Sequence, residues 1–290
     1  MGNRLKRPVN SSWLAGVMDR KILGPDCVID NICSIDDLAN GALAFSKSFR
    51  QLSVEGSYTV IGPTDMFQDG ISLIESNNPR LDFALALNKL GAEVGFCEHE
   101  STPIIHPNTK IGRNVVIGNG AEIGEGTVIY HNVVIHDGVK IGKRCLIKSG
   151  TIIGENGFGF ERDEAGIPVR IIHLGSVEIG DDVELGSLNT ICRGSLGNTI
   201  IEQHVKTDDH VHIAHNCIIR QGVLLTACVE LSGGVEVGAF SWIGPNSSVI
   251  QKIKIGKNSF VGIASNVTKN VVDGATVAGN PARLLSSKNA

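Results

Sequence analysis

Aromatic side chains are scarce in this chain. Its 290 residues include two Trp, two Tyr and nine Phe, 4% in all. That length accommodates one large domain or two ordinary ones, so a core of that size has to be filled by small aliphatic groups. Paired cysteines are absent as well. Cys27, Cys33, Cys97, Cys145, Cys192, Cys217 and Cys228 are odd in number and form no CxxC motif. This argues against a zinc ribbon or a dithiol redox site and fits reduced thiols in a cytoplasmic protein. No apolar run reaches the ~18 residues of a membrane span. A net charge of −4 and a pI near 6.1 remove the basic field expected of a nucleic-acid binder. The basic start, Met1 to Pro8, leads into no apolar stretch and so reads as no secretory signal. Lys6 stands where N-myristoylation needs Ser or Thr.

Glycine, by contrast, is abundant at 35 residues, and much of it falls in a repeat. From Ile105 an aliphatic residue recurs at every sixth position: Ile111, Ile117, Ile123 and onward to Ile153. A small or β-branched residue follows four places later, as at Thr109, Val115, Ala121 and Thr127. The register resumes at Ile179, Leu185 and Ile191, skips four residues, and runs from Ile201 to Val267. A period of six is neither helical nor that of a simple strand. It fits short strands joined by corners, three hexads closing one turn of a triangular coil. Stacked turns pair as parallel strands, and about eight of them rise roughly 38 Å at ~4.8 Å each. The aliphatic and small positions fill the interior, so such a stack needs few aromatics.

Residues 1–102 lack the repeat. Tyr58 to Ile61 and Ile71 to Ile74 read as short buried strands. Asn78-Pro79 reads as a helix cap and first turn, with Leu81, Ala84, Leu85 and Leu87 as its apolar stripe and Gly91 as its end. This predicts a small α/β domain ahead of a coil over residues 103–278, followed by a tail over 279–290. Residues 155–176 interrupt the coil, and long insertions in a solenoid often form its binding face.

The segment from Asp208 to Cys217 carries three histidines, His210, His212 and His215. Ile213 and Cys217 fill interior slots, so His212 and His215 point outward at a corner. From the residues alone three readings stand: a solvated corner, a zinc site, or a general base near neutral pH. The 18-residue turn places Gly233 one turn above His215 and Gln251 two turns above. A glycine there lets a substrate approach the backbone and offers its N–H to an oxyanion. Splicing out the four extra residues places Arg193 one turn below.

At this point a resemblance becomes specific. From about residue 14 to residue 270 the chain resembles the UDP-3-O-acylglucosamine N-acyltransferase family. It does so through its hexads, its Asn156-Gly157-Phe158-Gly159-Phe160 excursion, its Ile191-Cys192-Arg193-Gly194 step and its Ile213-Ala214-His215-Asn216 segment. The fold this implies is a left-handed parallel β-helix behind a candidate nucleotide-binding domain, assembled as a homotrimer. The resemblance assigns His215 as catalytic base and the Gly233 N–H as oxyanion donor, with His212 in support. It offers Phe45 or Phe49 for stacking on a uracil, and Asn156, Phe158, Phe160 and Arg193 for the sugar or acyl group. Asp208 or Asp209 would orient an imidazole, and spacing does not choose between them. No metal and no tightly bound cofactor are expected.

Three features depart from the family. Cys192 replaces an acidic residue, a second histidine of a later turn is absent, and the long terminal helices are missing. The chain closes instead on Ala278-Gly279-Asn280-Pro281-Ala282-Arg283, similar to the ending of coenzyme-A-dependent sugar N-acetyltransferases. The combined expectation is transfer from a short acyl-CoA to the amine of a nucleotide-linked amino sugar, for cell-surface polysaccharide or lipid synthesis. Gln251, Lys252 and Arg283 would face the donor. Lys254 and Lys257 are further candidates for the CoA phosphates, a merely solvated basic face being the other reading of the three lysines. The alternatives are an acyl carrier protein thioester as donor, O-acyl transfer, a non-catalytic trimeric scaffold for sugar nucleotides, and a γ-carbonic-anhydrase-like metalloenzyme.

Overall fold

The computed structural model describes residues 3–52 and 56–287. Residues 1, 2 and 288–290, the extremities of the expected N-terminal domain and tail, lie outside the described residues. The chain divides into two compact units: Met1–Glu98 with Gly159–Leu174, and His99–Phe158 with Gly175–Ala290.

In the first unit, the central apolar runs lie in a sheet whose inner strands are largely buried on both faces, the habit of parallel strands. Its strands are β1 (Arg4–Asn10), β2 (Ile22–Leu23), β3 (Val28–Ile32), β4 (Ala42–Phe45), β5 (Thr59–Gly62) and β6 (Ser72–Glu75), with α1 (Ser11–Val17) between β1 and β2. Their order is β1-β3-β4-β5-β6-β2. The four central strands run parallel, and the edges β1 and β2 are antiparallel to their neighbours. Helix α2 (Pro79–Glu93) begins as its sequence predicts, with the Asn78 side chain accepting from the Leu81 N–H. It does not stop at Gly91. The helix continues to Glu93, and the left-handed turn that ends it falls at Gly95, φ +82°. Gly91 is instead a packing glycine, with Phe96 and Ile172 in contact distance of its missing side chain.

The excursion also differs from its sequence reading. Most of it belongs to the first unit as an antiparallel hairpin, Phe160–Arg162 with Pro168–Arg170. Asn88 of α2 donates to the Arg170 carbonyl at 2.8 Å, and Arg80 pairs with Glu161 at 2.8 Å.

The second unit is the left-handed parallel β-helix, and its strands begin at Ile104–Ile105. Two-residue strands stack into three flat faces, with partners 18 residues apart: Glu122 pairs with Lys140, Val128 with Leu146, Val134 with Ile152. The faces hold eight, ten and eight strands, which makes eight full turns. Every hexad aliphatic from Ile123 to Val267 is buried, as are the small residues beside them, from Ala121 to Ser265. Most corners set one residue left-handed, Asn114, Asn132 and Asn216 among them. The chain past Val277 is not a loose tail. Arg283–Ser287 folds back antiparallel on Ala275–Ala278 and closes the second face.

Candidate active site

Three consecutive turns depart from or populate one corner of the coil, where the third face passes to the first. The long excursion leaves there after Ile152–Glu155 and returns at Val177–Ile179. On the next turn a short loop leaves after Thr190–Cys192 and returns at Thr199–Ile201. On the turn after that the corner is His215-Asn216, following the strand His212–Ile213. The ladder pairs Thr190 with His212 and Ile191 with Ile213 across 22 residues, which sets Arg193 one turn below His215.

His215 is half-buried, with Nδ1 3.0 Å from the Asn216 side-chain oxygen. Its ring lies against Gly233, one turn above. A Cβ built on Gly233 would fall 2.6 Å from both Cε1 and Nε2 of the imidazole. This is a physical reason for glycine at that position, since any side chain there would push the ring from its place. The Gly233 carbonyl accepts from Lys252, and the His215 carbonyl accepts from Gly234. The Gly233 N–H has no acceptor among the described residues.

His212 sits on the adjoining face, between Thr190 and Glu230 in the ladder. Its Nδ1 is 2.6 Å from the Thr190 hydroxyl. Burial lowers its pKa below the ordinary imidazole value, and Glu230 opposes only part of that shift. His212 is therefore neutral near pH 7.

The aspartates do not take the role offered to them. Asp208 and Asp209 lie at the other end of the His212 strand, at the corner between the second and third faces. Asp209 accepts from the Ser187 N–H at 2.6 Å, and Asp208 from the Asp209 N–H at 2.9 Å. The group on His215 Nδ1 is Asn216. Sequence reasoning quoted this residue without giving it a task, although Asn is one of the few residues that readily adopts the left-handed corner.

Arg193 is half-buried, and burial lowers its pKa. Its guanidinium donates to the Gly154 carbonyl at 2.7 Å and weakly to that of Asp137, tying the corners of lower turns together. Asn156 and Phe158 are exposed two turns below His215, with the Asn156 N–H on Glu155. Phe160 carries the Arg170 guanidinium 4.5 Å over its ring. In the first unit Phe45 is half-buried and packs against Phe83, ring centres 4.7 Å apart. Phe49 is the exposed one of the pair.

Gln251 and Lys252 are exposed above Gly233, and Arg283 is exposed with Nη1 near the Pro281 and Ala282 carbonyls. Lys254 and Lys257 pair with Glu236 and Asp273. Among the described residues no three His, Cys, Asp or Glu side chains group as metal ligands. No described helix is long and apolar enough to cross a membrane.

Residues 97–131 and 120–155 match the bacterial transferase hexapeptide (six repeats) family. A UDP-3-O-acylglucosamine N-acyltransferase from Coxiella burnetii is 32% identical over 244 residues, covering 72% of this chain and 69% of that protein. One from Helicobacter hepaticus is 38% identical, with the same shares covered. The chain belongs to the UDP-3-O-acylglucosamine N-acyltransferase family. A further relative of that name from Janthinobacterium is 34% identical, and the match spans 53% of this chain but only 44% of the relative. Among solved structures, LpxA from Acinetobacter baumannii superposes with a TM-score of 0.55 at 28% identity, covering 64% of this chain and 72% of that one. The UDP-N-acetylglucosamine O-acyltransferase of Moraxella catarrhalis gives 0.54 at 29% identity, covering 63% and 72%. These solved structures share a fold with this chain over 63–64% of its length.

Proposed function

We propose that this chain is an N-acyltransferase that moves an acyl group from a thioester to the amine of a nucleotide-linked amino sugar, for cell-surface polysaccharide or lipid synthesis. The observation that carries the reading is the packing of the His215 imidazole against Gly233 with Nδ1 on Asn216. An imidazole held in that way presents Nε2 as the basic atom beside a backbone N–H. The sugar nitrogen attacks the thioester carbonyl, and Nε2 takes the proton the nitrogen sheds. Negative charge gathers on the carbonyl oxygen, where the Gly233 N–H donates to it. The intermediate collapses, the C–S bond breaks, and the imidazolium returns its proton to the departing thiolate.

Direct transfer is favoured over a covalent intermediate by the state of the nearby thiols. Burial pushes Cys192 up to about 11 and Cys217 up to about 12, far from the thiolate a nucleophile requires. O-transfer to a hydroxyl is the weaker alternative, because a hydroxyl is a poorer nucleophile at neutral pH and asks more of one histidine.

Two donors present the same thioester. The resemblance to the family supports an acyl carrier protein thioester. The Gly279-Asn280-Pro281-Ala282-Arg283 motif, with exposed Lys252 bonded through its backbone N–H to the Gly233 carbonyl, supports a short acyl-CoA through charge-assisted phosphate contacts. Phe49 offers an exposed ring to a nucleotide base, and exposed Asn156 and Phe158 offer themselves to the sugar or acyl group. The active assembly is a cytoplasmic homotrimer, since an outward corner histidine gains a walled site when coils stand side by side.

Thiol release measured with two- to four-carbon acyl-CoAs and with acyl carrier protein thioesters, each with and without nucleotide amino sugars, tests the function and chooses the donor. Release that depends on the sugar supports N-transfer. Sugar binding with no release from any thioester would make the chain a scaffold.

A further inference from the structure

We propose that Ser195 is a positioning residue for His215, acting through Asn216 to fix which ring nitrogen carries the proton. The inference rests on the acyl-transfer reading above for its meaning, but its geometry stands alone. The oxygen and nitrogen of an asparagine amide are told apart only by their partners. The Ser195 N–H can only donate, and it lies 3.0 Å from Asn216 Oδ1. At the other end, Asn216 Nδ2 faces the Gly197 carbonyl at 3.5 Å, and a carbonyl can only accept. Both ends therefore require the oxygen to face His215.

An acceptor 3.0 Å from His215 Nδ1 obliges that nitrogen to hold a proton. A neutral imidazole has one such proton, so the lone pair is on Nε2, the atom packed against Gly233. The Ser195 hydroxyl, 2.8 Å from the same oxygen, adds a further donor that keeps the amide from turning over. The backbone of Asn216 is held as well, with its N–H on the Thr199 hydroxyl at 2.9 Å and φ at +61°.

Ser195 reaches this place because of the break in the repeat. Four extra residues lengthen the ladder spacing from 18 to 22 and let the loop after Arg193 rise toward the next turn. The loop is stiff. A side chain at Gly194 would overlap the Gly197 carbonyl, and Asn198 accepts from Ser176 while donating to Glu178. An interruption that looks like a lapse of the hexads is thus the support of the catalytic base.

The test uses the full chain with ¹⁵N-labelled histidine, the His215 signals being assigned by their loss in His215→Gln. The expected spectrum has the proton on Nδ1 in the neutral ring, and Asn216→Leu loses that preference. Ser195→Ala keeps the backbone donor and should lower kcat about threefold to tenfold, the worth of one neutral hydrogen bond, with KM for the sugar within about twofold. Ser195→Thr, which restores the hydroxyl, should recover most of that loss. A wild-type ring protonated on Nε2 overturns the proposal, as does a Ser195→Ala variant with unchanged kcat. The predicted tautomer in a protein that transfers no acyl group would sustain the proposed geometry and overturn the acyl-transfer reading instead.

Discussion

Gly233→Ala adds one methyl group at the point where the His215 ring lies. The new carbon would sit 2.6 Å from Nε2 and Cε1, about 1 Å short of good carbon contact. The Gly233 backbone is tied to Lys252 from above and cannot easily retreat. The ring must therefore move by about that ångström, giving up its bond to Asn216, worth about 0.5–1.5 kcal/mol. Stability falls by that modest amount, and a thermal scan should show a Tm lower by only a few degrees. Turnover suffers far more, because displacing a catalytic group by 1 Å costs about 100-fold. The assay is thiol release at saturating donor and sugar, run beside the melt. Combining Gly233→Ala with His215→Ala should cost little beyond His215→Ala alone, since both remove one base. A Gly233→Ala protein with kcat within threefold of the parent would refute the packing argument and, with it, the identity of the base.

Loss of the imidazole in His215→Ala should lower turnover about 100-fold or more, with His212→Ala costing clearly less; equal small losses would remove the histidine from the chemistry. Burial holds the folded pKa of His212 below its unfolded value, so the unfolded chain binds the extra proton first. Stability should therefore decline as pH falls through the ordinary imidazole range, and denaturant melts of His212→Gln should show a smaller decline. Iodoacetamide on the native protein at neutral pH should label exposed Cys228 and spare Cys192 and Cys217, as read by peptide mass spectrometry. Sedimentation equilibrium should give three times the chain mass at micromolar concentration; a monomer would refute the trimer.

The hexad repeat by itself determined the coil. A side chain every six residues that must be small or aliphatic leaves the backbone one way to bury all of them, and the buried column from Ile123 to Val267 follows. Counting by eighteen also brought His215 and Gly233 together, because the repeat is unbroken between them. Where the repeat is broken, counting loses its grip. Asp208 and Asp209 are close to His215 in sequence but lie at another corner, since a two-residue strand turns the chain through one side of the triangle. Asn216 and Ser195 are 21 residues apart and meet only because a loop with a stiff glycine turn bridges two turns.

Tertiary packing likewise decided which phenylalanine of the first unit packs against another ring, where α2 stops, and that the hairpin of the excursion belongs with α2 rather than the coil. Periodicity reports what each residue does relative to its own strand. Contacts between elements, and the proton on one ring nitrogen, depend on atoms that no period relates.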